Sequence, residues 1–278
     1  MRLFLCEKPS QGRDIARVVG ANKRGEGCLL GDGIGVTWCI GHLLETAPPE
    51  AYDPRHKTWA LENLPIIPAE WKVEIKPKTS AQFKVIKKLL RDASELIIAT
   101  DADREGELIA REVLDYCGYR GPVQRLWLSA LNPQSVRKAL SELMPGSATI
   151  LLYQAALARS RADWLIGMNL SRLFTLLARR GGADRLLTVG RVQTPTLNLV
   201  VKRHRAITSF VSKPFWEVKV QVQAAGKDFM AQWLPPTENC DDADRCVDRT
   251  AAENAKQMLS TGTARVQSVL VNFTRTHQ

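Results

Sequence analysis

SELIIATDADREGELIAREVLDYCG, residues 94–118, is the stretch that decides how this chain folds. Leu96 to Thr100 is a short run rich in apolar and β-branched side chains, the composition of a strand buried on both faces. An amphipathic helical pattern follows and is closed by Gly118, so the segment reads as strand, loop and helix. Between strand and helix, Asp101, Asp103 and Glu105 occupy alternate positions, and in an extended loop they project to one side. Carboxylates gathered in this way repel one another and take raised pKa values unless a hard dication sits among them. Mg²⁺ suits such a set, since it takes oxygen ligands and keeps waters while engaging phosphate. A purely structural role is also open: acids at a helix start favour the helix dipole, and Asp103 fits an N-cap.

Toward the N-terminus, Leu3 to Glu7 reads as a second short buried strand. A turn at Pro9 and Ser10 follows, then a helix with Ser10 as N-cap and Gly20 as its stop. Glu7 stands at the C-terminal end of its strand, and open parallel sheets place their sites outside those ends. Glu7, Asp101, Asp103 and Glu105 then form one acidic site on two strand ends. Residues 25–47 combine glycines with the runs CLL and VTWCIGHLL, which predicts strands joined by a tight turn at Gly31-Asp32-Gly33. Residues 48–80, rich in proline, tryptophan and charge, read as a long ordered excursion, and a helix follows from Ser80 to Arg91. Beyond residue 118 a strand is expected at Gln124 to Leu128, then a helix with Asn132 as N-cap and Pro133 in its first position. The alternation predicts an α/β domain: a mainly parallel sheet with helices on both faces.

From Ala148 to Ala178 the pattern is helical without strand signals. TVGRVQTPTLNLVV, residues 188–201, reads as a loop and a helix start, with Pro195 opening the helix. After Pro214, FWEVKVQVQAAGKDFMAQW alternates apolar and polar positions around Ala225-Gly226, as a β-hairpin does. The chain runs out on NFTRTHQ without a closing element. These changes divide it into residues 1–147, 148–213 and 214–278. A length of 278 residues, 45% hydrophobic and 24% charged, suits an ordinary globular protein of two or more domains. No apolar run is long enough for a membrane span, and MRLFLCEKPS reaches charge and proline too soon for a signal peptide, so a cytoplasmic location is expected. Six cysteines without a CxxC spacing predict neither a zinc site nor a disulfide framework.

The net charge of +10 is concentrated: residues 151–213 hold 11 Lys/Arg against 2 Asp/Glu, whereas residues 1–150 hold 21 against 19. Such a cluster is the footprint of a polyanion partner, although a solvated basic face gives the same count. Arg159, Arg161, Arg172, Arg179 and Arg180 lie there on an otherwise apolar helix. Arginine forks suit phosphates, and Trp164 among them offers a stacking surface for an unpaired base. In the next segment Gly190 allows close backbone approach, Arg191 can bind phosphate, and Gln193 and Thr194 can hydrogen-bond sugar or base.

The pair LFLCEKPS and IIATDADREGELIA resembles the Toprim pattern of a strand-end Glu plus DxDxE, and more specifically the type IA DNA topoisomerases of the topoisomerase III kind. VTWCIGHLLE is similar to a segment that follows the first motif there, and TVGRVQTPTL resembles their GRVQTPTL signature. The resemblance implies a Toprim domain, a helical single-stranded-DNA-groove domain, and at 214–278 the start of a β-rich arch. It implies that Glu7 takes part in proton transfer at the 3′ oxygen, that Lys8 neutralises phosphate charge, and that Glu7, Asp101, Asp103 and Glu105 form the Mg²⁺ site. It further implies that Trp59, Trp164, Arg172 and Arg179, with Thr188, Val189, Gly190, Arg191, Val192 and Gln193, contact single-stranded DNA. The family cuts by attack of a tyrosine, and none of Tyr52, Tyr116, Tyr119 and Tyr153 lies in anything like its tyrosine motif. The expectation is therefore a monomeric N-terminal portion that binds single-stranded DNA and Mg²⁺ but does not cut alone. A strand-binding fragment without catalysis is one alternative. A Toprim nuclease or primase-like protein is another, and the GRVQTPTL segment speaks against it.

Overall fold

The computed structural model describes residues 1–260 together with 263 and 265. The chain forms two compact units, residues 1–199 and 200–278. The first is built on a seven-stranded sheet. In chain order its strands are β1 (Arg2–Cys6), β2 (Lys23–Gly25), β3 (Cys28–Leu30), β4 (Ile34–Trp38), and then, after the separate pair β5 (Leu44–Thr46) and β6 (Val73–Ile75), β7 (Glu95–Ala99), β8 (Val123–Arg125) and β9 (Met144–Pro145). They lie in the order β2-β3-β4-β1-β7-β8-β9. The four central strands are parallel, while β2 and β3 at one edge and β9 at the other run antiparallel.

Helices cover both faces, and the period-two geometry of a strand explains how. Along β1, Leu3 and Leu5 face one core with Leu96 and Ile98, against Phe83, Ile86 and Leu90 of α2 (Ser80–Arg91) and Ile109, Val113 and Leu114 of α3 (Arg104–Cys117). Phe4 and Cys6 face the other core with Ile97 and Ala99, against Ile15 and Ala16 of α1 (Pro9–Val19) and Val136 of α4 (Pro133–Ser141). Each such side chain, fully buried, contributes about 1.5–3 kcal/mol, so neither face of β1 can turn to water. The helix stops follow the sequence reading: Gly20 and Gly118 both adopt the left-handed conformation, with φ of 80° and 64°. Asn132 caps α4 by accepting from the Ser135 N–H.

Two local expectations fail. Ser10 is not the N-cap of α1; Lys8 holds that position without a side-chain cap bond, because Pro9 already supplies the first helical residue. The strand expected at residues 124–128 stops at Arg125, where the side chain turns inward to hold neighbouring carbonyls. The excursion at 48–80 is ordered, as anticipated: three short 3-10 turns run between β5 and β6, which pair antiparallel. Next comes α5 (Ile150–Arg180), about 46 Å long at 1.5 Å per residue, which packs on α3. A further helix, α6, covers Gln193–Thr208.

The second unit contains the hairpin β10 (Lys219–Ala224) and β11 (Lys227–Gln232), and α7 (Arg249–Leu259), capped by Asp248. Ala225 and Gly226 at the hairpin turn both have positive φ, 50° and 73°, as a two-residue turn matched to strand twist requires. The rest of the expected arch, NFTRTHQ included, lies outside the described residues. Among the described residues no helix is long and apolar enough to cross a membrane.

Candidate active site

β1 and β7 are parallel neighbours with Cys6 opposite Ala99, so the chain leaves both strands side by side. Glu7 and Asp101 therefore meet. The Asp101 N–H donates to Glu7 Oε2 at 3.2 Å, Lys8 Nζ donates to Asp101 Oδ2 at 3.1 Å, and Gln11 Nε2 donates to Asp101 Oδ1 at 3.0 Å. Gln11 also accepts the Glu7 N–H at 2.8 Å, which fixes the chain as it turns from strand into α1. Partial burial pushes the Glu7 carboxyl above its ordinary range; the charges of Asp101 and Asp103 add to this, while the Asp101 N–H and Lys8 oppose it. The hydrogen bond to Asp101 raises Lys8. Gln11 was not singled out from sequence; its signal is a polar residue on the buried face of α1, four positions after Glu7.

The acidic loop is held from below by a fully buried arginine. Arg125 donates to the carbonyls of Ile98 (3.1 Å), Thr100 (2.9 Å), Leu126 (2.8 Å) and Asp101 (2.7 Å), and its Nε pairs with Glu107. Glu107, equally buried, accepts from Arg111 Nε at 2.8 Å. Burial lowers Arg125, and Glu107 opposes that shift. Gly106 is required here: a Cβ would lie 2.2 Å from the Asp101 carbonyl oxygen.

The three loop carboxylates do not project together, because the helix begins at Arg104 and the alternate spacing of an extended loop is lost. Asp103 is the N-cap of α3, its Oδ1 accepting the Gly106 N–H at 2.7 Å. Glu105, one residue into the helix, faces His42, whose Nε2 is 3.8 Å from its Oε2 and whose Nδ1 is 3.1 Å from Glu112 Oε2. Among the described residues no three Asp, Glu, His or Cys side chains gather as a ligand set. What the fold brings together is Glu7 and Asp101, with Asp103 near enough to raise Glu7. This all-oxygen pair under mutual repulsion fits a hard divalent ion of the kind that takes one or two carboxylates and completes its shell with water and phosphate. A cavity of about 290 Å³ lies between His42, Glu105 and Leu108 on one side and Ala156, Arg159, Ser160 and Asp163 of α5 on the other.

α5 is a spine to which two other segments are tied. On one flank, Arg172 donates to the His56 carbonyl at 2.7 Å and stacks over Trp59 at 5.1 Å, and Asn169 exchanges hydrogen bonds with both backbone groups of Ile66. Arg172 is buried, which lowers its pKa. Trp164 is half-buried, edge-on to Tyr52 and Trp71. On the other flank, Ser171 Oγ accepts the Val189 N–H at 2.9 Å, and Arg191 pairs with Asp163 at 3.1 Å. Gln193 Nε2 bonds Thr188 Oγ1, the Gly190 N–H donates to Thr194 Oγ1 at 3.1 Å, and Val192 is exposed. Arg179, also exposed, is 3.5 Å from Asp184. The structure thus places Trp59 with Arg172 on one flank and residues 188–193 on the other; Trp164 sits among the aromatics of the excursion.

Each tyrosine is engaged elsewhere. Tyr52 OH donates to the Lys72 carbonyl, Tyr119 OH to that of Pro122, and Tyr153 OH to Asp115 at 2.6 Å, while Tyr116 packs edge-on to Phe83. None touches Glu7, Lys8 or Asp101.

The Toprim domain family matches residues 2–131 and the DNA topoisomerase family matches residues 147–278. The chain is 45% identical to DNA topoisomerase 3 of Salmonella typhimurium, covering 96% of this chain and 43% of that protein. It is 42% identical to DNA topoisomerase 3 of Haemophilus influenzae, over 96% of this chain and 44% of that protein. The fold resembles that of full-length topoisomerase I from Thermotoga maritima, with a TM-score of 0.59 and 23% identity over 93% of this chain and 37% of that one. The chain spans less than half the length of these curated relatives. Two matched domains in this order, with relatives of one name along nearly all its length, mean that the chain belongs to the type IA DNA topoisomerases, among those of the topoisomerase 3 kind.

Proposed function

We propose that this chain supplies the acidic site and strand-holding surface of a type IA topoisomerase III reaction. That reaction is the Mg²⁺-dependent transient cleavage and rejoining of one DNA strand through a 5′-phosphotyrosine, with strand passage that relaxes or decatenates DNA. The observation that carries the reading is the meeting of Glu7, Lys8 and Asp101 at adjacent parallel strand ends. Glu7, with its raised pKa, exchanges a proton with the 3′ oxygen that leaves on cleavage and attacks on rejoining. Lys8 transfers its ammonium from Asp101 to a non-bridging phosphate oxygen and offsets charge that builds in the transition state. Glu7 and Asp101 would hold Mg²⁺, with Asp103 close by, whereas Glu105, expected in the same cluster, lies against His42; the ion would neutralise phosphate charge and help orient the strand.

Trp59, Trp164, Arg172, Arg179 and residues 188–193 line the path of the single strand along α5, Arg191 and Arg179 exchanging their carboxylate partners for phosphates. None of the four tyrosines is placed to attack, so the nucleophile comes from outside these 278 residues, and the chain alone binds without cutting. It acts as a monomer in the cytoplasm, on the nucleoid. Two measurements test this. A gel-shift titration at moderate salt is expected to show a preference for oligo-dT over duplex; equal binding overturns the groove. In a longer version carrying the downstream tyrosine, Glu7→Ala is expected to abolish Mg²⁺-dependent relaxation, and unchanged relaxation overturns the catalytic assignment.

A further inference from the structure

We propose that the outer face of α2 is a docking surface for a segment of duplex DNA, distinct from the single-strand path along α5. The proposal rests on the reading of this chain as a DNA-handling protein and extends it to a second nucleic-acid segment. Lys84, Lys87, Lys88 and Arg91 are all exposed. At about 100° per residue they fall in one stripe, roughly 100° wide and about 10 Å long. Phe83, Ile86 and Leu90 on the opposite side are locked into the sheet core, so the fold dictates the direction in which the stripe points.

Among the described residues none of the four cations forms an ion pair. Glu26, which with Lys88 acts on the Cys28 thiol, and Asp92, which caps the helix, lie nearby, but among the described residues neither forms an ion pair with the stripe. Like charges at i,i+3 and i,i+4 repel, so this face gains from a polyanion and loses without one. The nearly even count of charges in residues 1–150 gives no sign of it.

The chemistry selects the partner. Protein interfaces are depleted of lysine and anchored by aromatic and apolar side chains, and α2 exposes no large apolar residue. A single strand calls for aromatic stacking platforms, and the stripe has none. A duplex presents a charge every ~1.7 Å of axis and needs only cations opposite it.

The test uses the full chain and fluorescence anisotropy with a duplex of about 20 base pairs and with oligo-dT, over a range of salt. For the combined Lys84→Gln, Lys87→Gln, Lys88→Gln, Arg91→Gln variant, duplex affinity is expected to fall about tenfold at ~0.1 M salt. The slope of log affinity against log salt should become shallower by about three to four, near one per lost contact. Oligo-dT binding is expected to stay unchanged, and replacing the three lysines by arginine should preserve duplex binding. Helix content by circular dichroism separates lost charge from lost fold. Unchanged duplex affinity and slope overturn the proposal, as does equal loss on both DNAs. Displacement by polyglutamate as effective as by duplex assigns the face to an acidic protein instead. A wild-type chain that binds oligo-dT but not duplex sinks this proposal alone; one that binds neither sinks the DNA-handling reading with it.

Discussion

At Arg125 the fold commits a full positive charge to the interior, beneath the acidic loop, and satisfies it with four carbonyls and one carboxylate. Removing one partner of a buried pair costs about 3–5 kcal/mol, and here four carbonyls also lose their donor while Glu107 keeps only Arg111. Arg125→Met is therefore expected to lower urea stability by about that much, and Arg125→Met with Glu107→Leu to recover part of the loss; a double variant no better than the single one would contradict this account. Lys8→Ala should behave in the opposite way. Its pair with Asp101 is about half exposed, and such pairs contribute about 0.2–1 kcal/mol, so stability should barely change while strand cleavage by a complete enzyme falls sharply. Gly106→Ala forces a methyl against the Asp101 carbonyl, and a loss of about 1–3 kcal/mol is expected in the same urea titration. At this scale sequence was informative where a residue ends an apolar run: Glu7 and Asp101 were legible because strand ends in a parallel sheet point to a shared edge. Gln11, Arg125 and Glu107 were not, since a single polar letter within an apolar segment does not reveal which partner waits across the sheet. The even spacing of Asp101, Asp103 and Glu105 misled for a related reason, as the helix began earlier than an extended loop allows.

Among the elements, α5 was visible from its length, and the hairpin at Ala225-Gly226 from its alternation and turn. What tethers the excursion was hidden. Asn169 bonds both backbone groups of Ile66 across 103 residues of sequence, a pairing no local pattern encodes. Asn169→Ala leaves a buried N–H and C=O without partners and is expected to cost about 1–3 kcal/mol. The local consequence is the sharper check: limited proteolysis should nick residues 48–72 faster in the variant than in the parent, while cleavage in α3 stays unchanged. Equal protection of the excursion would show that the 3-10 turns hold themselves.

For the molecule as a whole, the order of strands in the sheet matters more than their number. β1 precedes the other strands of the sheet along the chain and lies at the sheet's centre, hydrogen-bonded on both sides to strands that come later, β4 and β7. During synthesis at about 5–20 residues per second, Leu3 to Cys6 waits roughly 5–20 s for β7 to emerge. Over that interval a strand with two apolar faces has at most one partner. Chains ending before residue 95 are expected to remain protease-sensitive throughout the sheet, and chains extending past residue 145 to become protected in one step. The central position of β1 thus makes the candidate active site a late event on the ribosome: Glu7 acquires its environment only when the chain has come back to it about ninety residues later.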